Sequence, residues 1–600
     1  MEYIMRKRFM QLAAALLAVC LTAPSAGAVT TNRDGEAIIR VGLASSSTHV
    51  PTGELEAAHL ENSDGYGAGY RFGYYDENRN FVELARTDSS TTKVAVLKTE
   101  NLYYGYSSAL GKNTYSASVS SGILVGCVHI QLPGSYGSYQ EAAAAAAGYE
   151  GGFVAWINGQ YQVRVGAYGT GADARAAQSA LGGIGTVVGT SAYGMSVVAT
   201  GTNRVLFQYD MGENSRLGIQ PDVTGAQEAQ TWFSGFKYRG GFQYHRRTGG
   251  NLTVVNMVEL EDYVNGVICY EMGREWPLEA LKTQAVCART YVLKNLNKHS
   301  SYGFDICTTS SCQVYHGMGS LKADYGPSQV SMKAVEQTAG LVAAYQGNLA
   351  EMFYSSSFGG ASEDAHNIWG TDTTNTHPYL CGVVDPYEAD LDEYNSFSPW
   401  TVSYTSAQLA QRLQSYGRGE GSSIDRLELT YSSLGNVIKV VVWWNNGKSS
   451  TIKASDIRSC FGLNAIRFTV NGAGTSGSAP TTPSGGSDIY INGAEGGLDG
   501  KYTISGTGAV STVGEKPYVI TGTGSVSALE GKENTGNGGS TSQPGQGVVT
   551  VSGGSYTFNG SGWGHQVGMS QYGANAMARR GFTFDQIVAF YFPGVQVAHY

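Results

Sequence analysis

The hydrophobic pattern between residues 122 and 198 predicts strands that alternate with two helices. Apolar runs of strand length enclose two alanine-rich stretches, at 139–148 and 172–181. The pair Asn158-Gly159 separates two of the apolar runs, which is a strong signal for a β-hairpin. The resulting order β-α-β-β-α-β is typical of a small ferredoxin-like module.

Farther along, the apolar positions favour helices separated by strands. Residues 278–293 have apolar side chains at helical spacing, and Pro277 before them suits the start of a helix. Further helical segments are expected in four places, at 328–339, 406–416, 571–579 and 584–592. Strands are expected between them, including a hairpin over 341–354. The pattern predicts an α+β, multi-domain protein.

Residues 471–550 depart from this pattern because Gly, Ser, Thr and Pro replace the apolar residues. Both ends of the segment, 474–487 and 535–547, have the composition of a flexible linker. Between them the motif at 502–508 recurs at 518–524, which predicts a small β unit.

Composition narrows the class of protein. The chain has 600 residues, a net charge of −9 and no long basic block, so the charge pattern of a nucleic-acid-binding protein is missing. With 82 Gly, 39 Tyr and few charged residues, the composition suits an exported protein.

The N-terminus predicts a secretory signal peptide over residues 1–28. A positive region at 6–8 precedes an apolar core at 12–21 and the small residues 26–28. The alternative is an uncleaved membrane anchor, although the core is shorter than the ~20 residues of a membrane span. No other apolar segment is long enough to span a membrane. Because of the signal peptide we expect an extracytoplasmic protein, either secreted or held in the membrane by an uncleaved signal.

Glu271 is the candidate catalytic residue. It follows a short apolar run, and burial among Val267, Ile268 and Met272 disfavours the charged form of its carboxyl and raises the pKa. A carboxyl that stays protonated near neutral pH can serve as a general acid in cleaving a glycosidic bond. The alternative is an ordinary surface carboxylate.

Several separated motifs resemble the stage II sporulation protein D family, the SpoIID/LytB domain. They are IRVGL at 39–43, EMGREWPLEALKTQAVCARTYVL at 271–293, CQVYHG at 312–317, YSSSFGG at 354–360 and GWGHQVGMSQYGANAMARRG at 562–581. The resemblance implies a lytic transglycosylase that cuts peptidoglycan glycan strands after N-acetylmuramic acid, leaves 1,6-anhydro ends and uses Glu271 as its acid. Peptide-free strands and a role in engulfment during sporulation are implied by the family alone.

The resemblance also implies a division of the chain in which the catalytic domain is discontinuous. The expected parts are a signal peptide (1–28), an N-terminal SpoIID-like part (29–114), an inserted module (115–200), the catalytic domain (201–470), the linker with its β repeat (471–550) and the C-terminal part of the catalytic domain (551–600).

Residues of the same motifs are candidates for binding substrate. Lys282 and Arg289 match basic positions of the family motif. The remaining candidates lie in the two glycine-rich motifs: Ser355 and Ser356 lining the cleft, Trp563 and Tyr572 stacking on sugars, and His565 and Gln571 binding polar groups.

The proposed chemistry needs one carboxyl group. Ordinary glycosidases use two, ~5 Å apart when retaining and ~6.5–9.5 Å apart when inverting. In a lytic transglycosylase the sugar's own C6 hydroxyl replaces water, so one carboxyl acts as acid and then as base. Glu261, Asp262 and Glu275 are near enough in sequence to supply a second one.

The segment YQVRVGAYGTGADARAAQSAL at 161–181 resembles the sporulation-related repeat, or SPOR domain. The resemblance implies binding of glycan strands stripped of their peptides. The alternative is an inert structural insert.

His299, Cys307, Cys312 and His316 form the pattern H-x7-C-x4-C-x3-H, and nitrogen and sulfur are ligands that zinc prefers. The resemblance implies that some family members hold a zinc through a His just before the second Cys. This chain has Ser311 there, so either His316 takes its place or the site is lost. The alternatives are a structural zinc and a Cys307–Cys312 disulfide. Catalysis requires no cofactor.

The expected partners are peptidoglycan glycan strands, with a cell-wall amidase or other sporulation proteins as further partners and with no nucleic acid. The alternative function is a non-catalytic wall-binding protein or amidase modulator of the LytB type.

Overall fold

A computed structural model describes residues 31–223, 228–321, 325–396, 398–474 and 548–600, and four short strands between 502 and 528. The expected signal peptide at 1–28 and nearly all of the two linker ends lie outside the described residues. In the described part, no helix is both long and apolar enough to cross a membrane.

The N-terminal third is mainly strands, with two helices. Its elements are β1 (Ile38–Ala44), β2 (Ala57–Asn62), β3 (Tyr70–Tyr75), β4 (Phe81–Arg86), β5 (Lys93–Lys98), β6 (Leu102–Ser107), β7 (Lys112–Ser116), β8 (Ile123–Val125), β9 (Val128–Gln131), α1 (Tyr139–Ala146), β10 (Gly152–Ile157), β11 (Gln160–Tyr168), α2 (Gly171–Ala180), β12 (Thr186–Val188), β13 (Met195–Ala199) and β14 (Val205–Asp210).

The middle of the chain carries the main helices. Its elements are β15 (Leu217–Pro221), β16 (Thr231–Phe233), β17 (Phe236–Tyr238), β18 (Gly241–Arg246), β19 (Leu252–Glu259), α3 (Leu260–Glu271), α4 (Leu278–Lys294), β20 (Ile306–Cys307), β21 (Gly319–Ser320), α5 (Gln329–Gln337), β22 (Leu341–Tyr345), β23 (Asn348–Leu349), β24 (Tyr354–Ser355) and α6 (Ala365–Trp369).

The last third returns to strands and ends in two helices. Its elements are β25 (Trp400–Thr405), α7 (Ser406–Ser415), β26 (Ile424–Tyr431), β27 (Val437–Trp444), β28 (Ser449–Lys453), α8 (Ala454–Phe461), β29 (Arg467–Val470), β30 (Tyr502–Ile504), β31 (Val510–Thr512), β32 (Tyr518–Ile520), β33 (Val526–Ala528), β34 (Val548–Ser552), β35 (Ser555–Ser561), β36 (Met569–Ser570), α9 (Gln571–Arg579), α10 (Phe584–Tyr591) and β37 (Gln596–His599).

This mixture of sheets and helices confirms the α+β class and the multi-domain organisation. A seven-stranded sheet has the order β20-β1-β19-β18-β15-β3-β4, and an eleven-stranded sheet has the order β12-β9-β11-β10-β14-β13-β5-β2-β16-β17-β21. One large buried core extends from β1 through the helices to the C-terminal strands.

Residues 115–200 are continuous with their neighbours. Within them β9, α1, β10, β11, α2 and β12 follow one another, and the four strands lie in the order β12-β9-β11-β10. The sheet then continues through β14 and β13 into β5 of the N-terminal part. The proposed boundaries at 115 and 200 and the kinship to SPOR domains stay predictions.

Helix α4 is the centre of the helical layer. It contacts α3, α5, α9, α10 and β22, and its side chains from Thr283 to Leu293 are all buried. A helix buried on every side is held mainly by packing. It joins segments that are distant in sequence.

The C-terminal residues complete sheets that begin more than a hundred residues earlier. Strand β34 pairs with β26, β35 pairs with β25 and β29, and β37 pairs with β22. The repeat at 502–508 and 518–524 takes part in two separate hairpins, β30–β31 and β32–β33.

Candidate active site

Glu271 is the last residue of α3, a helix that the sequence pattern did not reveal. Tyr263, Val264, Val267 and Ile268 are buried against the rest of the core. Gly266 lowers intrinsic helix propensity, yet a Cβ there would lie 2.6 Å from the Tyr315 ring. Tertiary packing therefore sets the helix and requires the glycine.

The Glu271 carboxyl group is enclosed although the residue as a whole is only half-buried. Its Oε1 accepts a hydrogen bond from the backbone N–H of Val314 at 2.7 Å, and the side chains of Tyr354 and Gln571 lie at the same group. Burial raises the pKa of Glu271 to about 7. The three hydrogen-bonding groups act in the opposite direction and lower the pKa, but burial has the larger effect. The C-terminal end of a helix also disfavours negative charge.

A chain of polar side chains holds Tyr354 in place. Gln313 donates from Nε2 to the Tyr354 hydroxyl at 3.1 Å, and Tyr263 donates its hydroxyl proton to Gln313 Oε1 at 3.0 Å. Gln571 donates to Gln284 Oε1 on α4 at 3.5 Å. The groups around the carboxyl are therefore fixed by helices α3 and α4.

Two distant glycine-rich motifs meet beside this carboxyl. Strand β24 runs parallel to β36, with Tyr354 opposite Met569 and Ser355 opposite Ser570. Ser570 caps α9, and the backbone N–H of Tyr572 donates to the carbonyl of Ser356 at 3.0 Å. This pairing carries Gln571 to Glu271, about 300 residues away along the chain.

The loop at 562–568 packs against the same strand. Gly564 has φ +141°, and a Cβ there would lie 2.2 Å from the Ser355 Cβ, so the close approach requires glycine. The Ser355 hydroxyl is buried and has no hydrogen-bond partner among the described residues. Trp563 is 41 % exposed and forms a backbone bridge with Ser357.

His565 is held on the inner side of this loop. Its ring lies 5.2 Å from the Trp369 ring and 6.4 Å from the Phe353 ring, and it hydrogen-bonds the backbone of Tyr354. Burial and the nearby Arg458 charge lower the pKa of His565 to about 4. The imidazole is therefore neutral at neutral pH.

Tyr572 lies beside Trp276, with ring centroids 5.1 Å apart in an edge-to-face arrangement. The structure thus places Ser355, Ser356, Gln571 and Tyr572 in the segments that surround Glu271.

The two basic candidates are held by acidic partners away from this carboxyl. Arg289 has no exposed surface, donates two hydrogen bonds to Glu261 and donates a third to the carbonyl of Leu341. Lys282 pairs with Glu279 at 2.7 Å and lies over the Phe584 ring. These contacts connect α4 to α3, β22 and α10, and a role in binding substrate stays a prediction.

The three sequence candidates for a second carboxyl have other neighbours. Glu261 pairs with Arg289, and Asp262 pairs with Arg239 at 2.6 Å. Glu275 is exposed near Arg274. None of them contributes to the pKa shift of Glu271.

Sequence reasoning missed a buried pair of acidic residues, Asp385 and Glu388. Glu388 accepts hydrogen bonds from the Ser357 and Ser570 hydroxyls and from the backbone N–H groups of residues 358 and 359. Burial and the charge of Asp385 raise the pKa of Glu388 to about 7. The pair braces the turn after β24 against the start of α9, and no local motif around it signalled this role.

The metal candidates divide into a cluster and an outlier. His299, Cys307 and Cys312 are buried, and their ligand atoms lie within 4.8 Å of one another. His316 was wrongly included, because its ring stacks on Phe236 at 4.5 Å and is also packed against Tyr270.

The cysteine pair is not joined by a disulfide in the structure. Their mutual hydrogen bond lowers the pKa of Cys307, which favours its thiolate. His299 Nε2 lies 3.2 Å from Cys312 Sγ. The His49 ring, from the loop after β1, lies 5.4 Å from the His299 ring, so a second imidazole stands beside the cluster.

The region around Glu271 is similar to known proteins. A family model described as stage II sporulation protein matches residues 248–345, which contain Glu271, α4 and the cysteine pair. Stage II sporulation protein D of Bacillus subtilis is 28% identical over 353 residues, 57% of this chain and 76% of that protein. Residues 248–345 thus match the stage II sporulation protein family, and the similarity to stage II sporulation protein D extends over more than half of the chain.

Two other relatives show how far the similarity reaches. An uncharacterized protein of Brachyspira hyodysenteriae is 32% identical over 237 residues, 37% of this chain and 58% of that protein. The amidase enhancer of Bacillus subtilis is 28% identical over 339 residues, 56% of this chain and 40% of that protein. The chain thus spans only about half the length of these two relatives.

Proposed function

We propose that the protein is a lytic transglycosylase that cleaves the glycan strands of peptidoglycan, with Glu271 as its general acid and base. The observation that carries the proposal is one enclosed carboxyl, with its pKa raised to about 7, which lies where its own motif meets three others of the family. A group with this pKa is present in both protonation states at neutral pH, which suits a residue that first donates and then accepts a proton.

The reaction proceeds in two steps at the same carboxyl. Protonated Glu271 donates its proton to the glycosidic oxygen as the bond from that oxygen to C1 of the muramic sugar breaks. The resulting carboxylate then takes the proton of the sugar's C6 hydroxyl, while the C6 oxygen bonds to C1 and closes the 1,6-anhydro ring. Val314 N–H, Tyr354 and Gln571 stabilise the carboxylate between the steps.

The test is to incubate the protein with peptide-free glycan strands and to look for 1,6-anhydro-muramic ends by mass spectrometry. We expect products from the wild type and at least about 100-fold fewer from Glu271→Gln, since general acid catalysis contributes about 10²–10⁴-fold. Glu275→Gln, which alters an exposed carboxylate nearby, is the matched control and should retain activity. Equal products from Glu271→Gln and wild type would refute the assignment.

The second candidate function is a non-catalytic wall-binding protein that modulates an amidase. The similarity to the amidase enhancer favours it. Strand binding without products from the wild type, together with faster release of peptides by an added cell-wall amidase, would support this function over the first. Either function places the protein at the cell wall, outside the cytoplasmic membrane.

Residues 115–200 are proposed to supply an additional contact to glycan strands. The support is the resemblance of 161–181 to SPOR domains and the order of the strands around it. The test uses the full chain. Substitutions on the exposed faces of α1 and α2 should weaken binding to glycan strands without changing the fold.

A structural zinc is proposed at His299, Cys307 and Cys312, and the neighbouring His49 is the candidate for a fourth ligand. Two imidazoles bound to one tetrahedral zinc through Zn–N bonds of ~2.0–2.1 Å have ring centroids roughly 5 Å apart. The His49 and His299 rings are 5.4 Å apart, so the exposed His49 side chain would have to turn toward the cluster of three ligand atoms to complete the site. A zinc here would cross-link the segment after α4, β20 and the start of the CQVYHG motif, and it would take no part in bond cleavage.

A further inference from the structure

A cavity of about 390 Å³ lies between helices α6 and α8, beside the loop that carries Trp563. Apolar side chains of Ile368, Leu463 and Ile466 form part of its wall, and Trp369, Arg458 and His565 also line it. Its volume falls within the range of roughly 300–1,000 Å³ that small-ligand sites have. Glu271 does not line it, so the cavity is distinct from the catalytic carboxyl.

Arg458 gives this cavity a positive charge. Its Nε donates to the carbonyl of Asn464 at 2.9 Å, and no ion pair of Arg458 occurs among the described residues. An arginine stays charged at any pH the protein meets. Because His565 is neutral there, the arginine is the only charge in the wall. Such a half-buried guanidinium favours an anion, and its planar fork matches a carboxylate.

Trp369 adds an aromatic surface beside the guanidinium. Its side chain is 43 % exposed, and its ring packs on Phe353 at 5.0 Å and on His565 at 5.2 Å. An exposed and firmly supported aromatic ring can pack against the apolar face of a sugar ring. The cavity therefore combines the two features that an acidic sugar needs.

The loop at 562–568 connects this cavity to the catalytic carboxyl. The carbonyl of Asn464 that holds Arg458 also accepts a hydrogen bond from the Gly564 N–H at 3.0 Å. Gly564 in turn packs on Ser355, and His565 hydrogen-bonds the backbone of Tyr354, whose side chain lies at Glu271. One loop thus fixes the position of Arg458 relative to the acid.

We propose that this cavity is a subsite for the carboxylate of an acidic sugar in the same glycan strand, the free lactyl carboxylate of N-acetylmuramic acid. The inference rests on the function proposed above. In a strand that keeps its stem peptides, that carboxyl is an uncharged amide with a bulky substituent. Arg458 therefore makes the protein select strands from which peptides have been removed.

The experiment measures strand binding in the Glu271→Gln background, where cleavage is expected to be at least about 100-fold slower. Three probes are compared: peptide-free strands, the same strands with their carboxyls converted to methylamides, and neutral chito-oligosaccharides. We expect the free strands to bind about tenfold more tightly than the amidated strands, and Arg458→Gln to abolish that difference. Binding of chito-oligosaccharides should change less than twofold.

The matched control is Arg418→Gln. Arg418 is an exposed arginine that does not line the cavity, and it pairs with Asp456 on α8, the helix that also carries Arg458. It should keep the tenfold preference. Circular dichroism checks that both variants are folded. Trp369→Ala should weaken binding of all three probes.

The inference is overturned if Arg458→Gln keeps the preference, or if free and amidated strands bind equally well. The function itself is judged separately, from the anhydro ends that the wild type releases. Anhydro ends without any dependence on Arg458 would overturn the subsite and leave the transglycosylase intact. Failure of every probe to bind would overturn the subsite, and wild-type cleavage would still decide the function.

Discussion

Burial makes the Glu271 carboxyl harder to ionise in the folded chain, where its pKa is about 7 against an ordinary value of 4.5. The proposed reaction begins with the protonated form, so the pH dependence of activity reports on this group. We expect kcat/KM to fall as pH rises above about 7. A tenfold fall per pH unit on that limb, measured with peptide-free strands, is the expected result, and a flat profile up to pH 9 would contradict it.

The same shift predicts how stability depends on pH. A carboxyl whose pKa is raised on folding stabilises the folded state below pH 4.5, and this contribution is lost as pH rises through 7. Glu271→Gln cannot ionise. Compared with wild type, we expect the variant to gain about 2–3 kcal/mol in free energy of unfolding between pH 4.5 and pH 8.

Urea denaturation of both proteins at the two pH values measures this difference, since other buried acids such as Glu388 are present in both and cancel. If wild type and Glu271→Gln differ in free energy of unfolding by the same amount at both pH values, Glu271 is not enclosed in solution.

Zinc binding at the cysteine cluster can also be tested by substituting single residues. We expect His49→Ala to lower zinc affinity at least tenfold, because removing a ligand should cost no less than removing a supporting contact, which costs about 10–100-fold. His316→Ala is the control and should bind zinc like wild type, since its ring is stacked on Phe236. Competition with a chromophoric chelator and the absorption spectrum of the Co²⁺-substituted protein give the two readouts.

A wild-type protein that binds no zinc would refute the site, and normal affinity in His49→Ala would remove His49 from it. Only the folded chain could suggest His49, because it lies 250 residues before His299 and belongs to no motif. The sequence spacing favoured His316 instead, because spacing does not show which way a ring packs.

At the scale of elements, helix α4 depends on a charge pair that anchors it to its neighbours. Arg289 is fully buried, and its partner Glu261 also accepts a hydrogen bond from the backbone N–H of Gly340. Removing one member of a buried pair leaves the other charge uncompensated, which typically costs about 3–5 kcal/mol. We expect Arg289→Leu to lower the free energy of unfolding by roughly this amount.

Glu261→Gln combined with Arg289→Leu should recover part of that loss, because no unpaired charge remains. Chemical denaturation of the two single variants and the double variant measures the coupling. A stable Arg289→Leu protein with weakened strand binding would favour the substrate-binding role that the family motif suggested.

The sequence pattern located α4, α7 and α9 well but not α3. Residues 278–294 show an apolar face behind a proline, so local signals suffice there. Residues 260–271 contain valine, isoleucine, tyrosine and glycine, which are weak helix formers, and their helix exists because Tyr315 and the core pack against it.

At the scale of the molecule, residues 548–600 connect the strands around the candidate active site. Strands from 548–600 complete sheets begun by β22, β24, β25 and β26. We therefore expect a chain cut at a protease site introduced between residues 529 and 547 to remain assembled. Gel filtration after cleavage should show both pieces in one peak, whereas deletion of 548–600 should abolish cooperative unfolding and activity.

Separation of the two pieces under native conditions would contradict this expectation. The matched control is the same protease site introduced between residues 475 and 501. This site also precedes β34 in the sequence, so cleavage there should leave the two pieces together as well.

The sequence by itself determined the α+β class and the resemblance to stage II sporulation proteins, and it named Glu271 as the candidate acid, because these depend on local periodicity and on motifs that each lie within a few residues. The environment of Glu271 was inferred only in sign: apolar neighbours predicted a raised pKa, and burial raises it.

Tertiary structure alone decided which residues meet. Val314, Tyr354 and Gln571 contact one carboxyl. Arg289 forms an internal ion pair, and Arg458 lies beside a loop about a hundred residues away in the sequence. These contacts arise from pairing of distant strands and from packing around α4, and neither leaves a periodic trace in the sequence.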